Sequence, residues 1–199
     1  GKPAPLADYR DKVILIVIPS ILGLMAGTAA TAQWESYLAW RHYTPFGQTD
    51  AQFGADIGFY VMQYPFLRFV LGFAFTALLL GLGMAVITHY VFGGIRLQGP
   101  SPRTSRAAHI QISIVAGLLM LLKAASYWLD RYGLAIKGEA FIEGFTGLKY
   151  RDVNAILPAK NILTVIAVVC ALLFFANAFR RGWALPLVGG GLLAVSAFV

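Results

Sequence analysis

The chain has 199 residues, of which 58% are hydrophobic and only 13% charged, with a formal net charge of +7. A soluble domain of this length carries about 25% charged residues, so too little polar surface remains to cover a globule in water. The basic residues stand singly or in pairs at the ends of apolar blocks, as Arg103, Arg106, Arg180 and Arg181 do. That placement marks membrane topology rather than nucleic-acid binding.

Taken in order, the apolar blocks predict five spans, at about residues 13–32, 69–91, 107–129, 162–179 and 183–199. A helix needs roughly 20 apolar residues to cross about 30 Å of hydrocarbon. Pro19 falls inside the first block, where neighbouring helices can satisfy the freed carbonyl. In the same block Gly23 and Gly27 form a GxxxG, which predicts close helix packing. The segment 33–68 that follows is rich in aromatic residues. It predicts an interfacial or re-entrant piece, held by lipid headgroups or used to dock an extracellular domain. Residues 93–106 read as a short polar loop. Residues 130–160 form a longer one of mixed charge, and Arg180-Arg181-Gly182 a tight turn. The expected fold is therefore all-α, a polytopic transmembrane helical bundle of about five helices forming a single membrane domain. Both ends of the chain read as cut from a longer protein.

Sidedness follows from the basic residues. With the N-terminus inside, the inner segments hold eight Lys and Arg and the outer segments seven, but the inner segments are much shorter. The higher density puts the N-terminus of this chain in the cytoplasm of a plasma-membrane protein.

Lys123 is the most informative single residue. It interrupts the third apolar block about two turns from Asp130, and an ammonium at that depth costs a few kcal/mol without water or a partner. Helical side chains lean toward their own N-terminus, so Lys123 leans deeper into the membrane. That favours a partner over an escape to the surface, with Glu35, Asp50 or Asp56 of the aromatic loop as the candidates. A structural role outweighs a place on a substrate or ion path. His89 and His109 fall near the inner ends of the second and third spans, at one depth. Two histidines without an acid or thiol make a poor zinc site, so hydrogen bonds to loop backbone are expected, with a proton relay as the competing role. The lone Cys170 excludes an intrachain disulfide. Ser20, Ser113 and Ser126 are expected to bond back to their own helices. No nucleophile–base pair or phosphate-binding glycine loop is visible, so neither a catalytic site nor a cofactor is expected.

Several dispersed motifs carry a resemblance. They include Gln33-Trp34-Glu35, Thr49-Asp50-Ala51-Gln52-Phe53, Asp56-Ile57-Gly58-Phe59-Tyr60-Val61 and Tyr64-Pro65-Phe66. Further along come residues 88–96 from Thr88-His89-Tyr90, then Leu122-Lys123-Ala124, Tyr127-Trp128-Leu129-Asp130-Arg131-Tyr132, Tyr150-Arg151-Asp152-Val153-Asn154 and Phe179-Arg180-Arg181-Gly182-Trp183. Together they resemble uncharacterised protein family 0182, large membrane proteins found mainly in actinobacteria. The resemblance implies about seven transmembrane helices followed by a large extracytoplasmic region, with this chain matching the third to seventh helices. It brings no reaction and no catalytic residues. The expected function is a membrane scaffold that anchors a large outer domain and binds lipids and envelope proteins. A transporter, channel or lipid-handling subunit with a polar path around Lys123 is the alternative.

Overall fold

A computed structural model describes residues 5–96, 103–136 and 148–179, with side chains described from residue 16 onward, apart from those of residues 18, 96 and 103. Five α-helices occupy these segments: α1 (Pro5–Thr31), α2 (Trp34–Arg41), α3 (Tyr64–Val91), α4 (Arg106–Ile136) and α5 (Leu157–Phe179). One turn of π-helix leads into α3 at Phe59–Gln63, and another into α5 at Asp152–Ile156. The expected span at 183–199 and the turn at 180–182 lie outside the described residues.

Three continuous helices, Phe59–Val91, Arg106–Ile136 and Asp152–Phe179, are long and apolar enough to cross a membrane. At 1.5 Å per residue each runs to about 40–50 Å, beyond the ~30 Å hydrocarbon slab. They outrun the apolar blocks because polar residues at their starts satisfy the first backbone N–H groups. Ser105 caps α4 by accepting from the Ala108 amide, and Asp152 reaches back to the amide of Lys149 ahead of α5. Large apolar side chains such as Val70, Leu79, Leu80, Ile87 and Val165 remain exposed. In water such surface would be untenable, and in lipid it is the required exterior.

The centre of the bundle is α4, packed along α5 and, over a shorter length, α3. Small residues let α4 and α5 approach: Ala108, Ser113, Gly117 and Ala124 face Ala167, Cys170, Ala171 and Ala178, all buried. At Gly117 a Cβ would fall 2.7 Å from the Phe175 ring, so the absence of a side chain decides that contact. The glycines at 23 and 27 behave differently. A Cβ at either meets nothing within 4 Å, so the described residues leave that GxxxG face unpacked. A two-residue antiparallel ladder, Ile95–Arg96 with Arg103–Thr104, joins the bases of α3 and α4.

Candidate functional site

At one end of the bundle the aromatic segment folds into a cap. Asp56 starts the helix that becomes α3 and organises the chain before it. Its carboxylate accepts from the amides of Gly58 at 2.7 Å and of Phe46 and Gly47 at 2.9 Å. Gly58 must be glycine, because a Cβ there would meet Asp56 Oδ1 and the Thr44 carbonyl at 2.8 Å. Asp50 accepts from the amides of Phe53 and Gln52, an Asx turn closed beside the Thr49–Asp56 bridge. The cap then packs onto α4 through Tyr132, whose ring lies 5.0 Å from Phe53, 5.2 Å from Phe59 and 5.3 Å from Trp128.

The backbone bonds from Phe46, Gly58 and Gly47 hold the Asp56 carboxyl below its ordinary value of 3.8, against a smaller opposing effect of desolvation. A carboxylate with a depressed folded pKa stabilises above its unfolded value and loses that contribution as pH falls through the folded one. Amide-exchange protection of Phe46, Gly47 and Gly58 should therefore hold from neutral pH to about 4 and fail only below that. In Asp56→Ala it should be weak at every pH. Unchanged protection in that variant would show the cap closes without this carboxylate.

Beneath the cap, Asp130 ties three helices together. One oxygen accepts from the Arg68 guanidinium of α3, and the other from Lys160 Nζ of α5 at 3.2 Å. Arg131 bonds Asn161 Oδ1 at 3.0 Å, a second α4–α5 link at this level. Two turns deeper, Lys123 is half-buried. Its ammonium sits 5.1 Å from the Tyr127 ring centroid and 5.8 Å from that of Phe75, within cation–π range. The expected partnership with Glu35, Asp50 or Asp56 does not form. Glu35 is exposed on α2, and the other two carboxylates are bonded to their own loop. Among the described residues Lys123 makes no ion pair. It lines instead a cleft of about 230 Å³ between α3 and α4, with Arg68, Gly72, Phe75, Ser126 and Asp130.

At the opposite end His89 bonds a side chain of α4 and His109 a carbonyl of α5, helical partners where bonds to loop backbone were expected. His89 Nε2 lies 2.9 Å from Gln111 Oε1. His109 Nε2 donates to the Asn177 carbonyl of α5 at 2.8 Å. Asn177 is 1% exposed. Its amide donates to Ser113 Oγ at 3.0 Å, while Oδ1 is left without a partner among the described residues. Ser20 does bond back to the Ile16 carbonyl, at 2.7 Å, whereas Ser113 is used across the α4–α5 seam. No group of three or more His, Cys, Asp or Glu able to hold a metal occurs among the described residues.

Sequence reasoning missed Arg68 and Lys160 as partners of Asp130. The signal was present: in antiparallel neighbours, a basic residue near the start of α3 or α5 lies level with an acid near the end of α4.

The described residues thus form a helical membrane domain, braced at one end by ion pairs and an aromatic cap. The chain belongs to the uncharacterised protein family UPF0182, which it matches over residues 4–199. It is 47% identical to a UPF0182 protein of Streptomyces coelicolor over 98% of its length, and 48% identical to one from a Nocardioides species over 98%. A Frankia alni relative is 48% identical over 94%. The chain spans 20%, 20% and 18% of these relatives, about a fifth of their length. No solved structure matches.

Proposed function

We propose that this chain is the membrane-embedded scaffold of a larger envelope protein, holding an extracytoplasmic region and partner proteins over the capped end of the bundle. One observation carries the reading: Asp130 and the Tyr132-centred cluster lock α3, α4, α5 and the cap into one rigid end. A docking platform needs such rigidity, and a moving gate would be hindered by it. The cap also presents Trp34, Tyr37, Trp40 and Phe46 as exposed rings, residue types enriched at protein interfaces. In this reading the capped end faces outward and the His89 end faces the cytoplasm of the plasma membrane, as the density of basic residues indicates. The reading assigns no reaction to the chain.

A photo-crosslinking amino acid placed at Trp34, Trp40 or Phe46 of the full-length protein tests it. The expected products join the cap to parts of the protein outside residues 1–199 or to other envelope proteins, while the same probe at Phe92 gives none of these. Cap probes that capture only lipid would overturn the scaffold reading.

A further inference from the structure

We propose that the cleft between α3 and α4 binds the phosphate headgroup of an anionic lipid, with Lys123, Arg68 and Ser126 as its donors. The first support is charge. Arg68 and Lys160 already share the one carboxylate at this end of the cleft, Asp130, and Lys123 lines the same cleft two turns deeper. Lys123 is therefore a cation in excess, held at membrane depth by two aromatic faces and no acid among the described residues. Burying an ammonium this way is costly, and a bound anion removes that cost.

The second support is donor capacity. The guanidinium has five N–H donors, and its bond to Asp130 uses one nitrogen. The Ser126 hydroxyl lines the same cleft with no hydrogen bond among the described residues. Residues 123, 126 and 130 follow helical spacing on one face of α4, and 68, 72 and 75 do so on α3. The donors thus stand on both walls of the cleft.

The third support is the route for a tail. On the other side of α3, facing α1, lies an apolar groove of about 340 Å³ lined by residues such as Leu22, Met25, Ala29, Phe73 and Leu80. Gly72 lines both the groove and the polar cleft. Around it a Cβ would meet nothing within 4 Å, so the ridge between them is lowest at that point. A headgroup in the cleft can send an acyl chain across Gly72 into the groove. Free phosphate has no use for that second compartment. This site is independent of the scaffold reading, since a scaffold with or without partners can carry a bound lipid.

The test uses the full-length protein in a neutral detergent, with phosphatidylglycerol titrated in and binding read from the rise in melting temperature. Lys123→Gln should weaken phosphatidylglycerol binding about tenfold or more, as expected for loss of a charge-assisted hydrogen bond. Gly72→Leu should also weaken it while the lipid-free melting temperature stays near wild type, because the new side chain enters open space. Phosphatidylcholine should bind at least tenfold more weakly than phosphatidylglycerol. The proposal is overturned by phosphatidylglycerol affinity unchanged in both variants, or by equal affinity for the two lipids. It is overturned equally if inorganic phosphate binds as tightly as the lipid and Gly72→Leu leaves that binding intact, since the site would then serve a free anion.

Discussion

Replacing Asp130 with Asn should cost about 2–3 kcal/mol of stability, the largest effect expected of any single polar substitution among the described residues. Exposed ion pairs contribute about 0–1 kcal/mol, and breaking a fully buried pair costs about 3–5 kcal/mol. Asp130 falls between these limits, with its side chain 24% exposed and those of Arg68 and Lys160 45% and 20%. The variant removes one carboxylate but strands two cations, on α3 and on α5, so both neighbours of α4 loosen together. Unfolding in mixed micelles measures the cost. A double-mutant cycle with Arg68→Gln should show a coupling of about 1 kcal/mol. A variant as stable as the wild type, with no coupling to Arg68, would mean the three-way contact is not what holds this end.

Gly117→Val should cost about 3 kcal/mol, for a steric reason. A Cβ at this position already falls 2.7–2.9 Å from three atoms of the Phe175 ring, and valine adds two methyl groups to that overlap. Overpacking of this kind costs roughly 1–3 kcal/mol, occasionally more. A valine in helical conformation has one dominant rotamer, so it cannot swing clear. The remedy is specific: Phe175→Ala in the same chain should recover at least half of the loss. If Gly117→Val is tolerated alone, α4 and α5 are not as close at Gly117 as the structure has them.

The three long helices were legible because lipid leaves a strong signature. An apolar run of about 20 residues needs no partner information to be read as a span. Their true ends were less legible, since capping by Asp56, Ser105 and Asp152 depends on short-range side-chain bonds that extend helices past the apolar block. Lys123 stood out for the same reason the spans did, as a charge where lipid tolerates few. Its partner was misread. Asp50 and Asp56 looked available as loop acids, yet each is occupied by backbone amides of its own turn, a competition that counting charges does not capture. The Asp130 contacts with Arg68 and Lys160 needed knowledge of which helices lie side by side. The Gly23–Gly27 pair is a packing motif whose face stays open among the described residues, so its partner is not one of them.

The most direct test is the membrane placement of two exposed residues on either side of α3. In a background where the buried Cys170 is alanine, single cysteines replace Phe46 in the cap and Phe92, 83% exposed just beyond α3. A membrane-impermeant maleimide should label Phe46→Cys in intact cells and Phe92→Cys only after the membrane is opened. Labelling of both from the same face would contradict a membrane-crossing α3, and labelling of Phe92→Cys alone in intact cells would reverse the sidedness on which the scaffold reading rests.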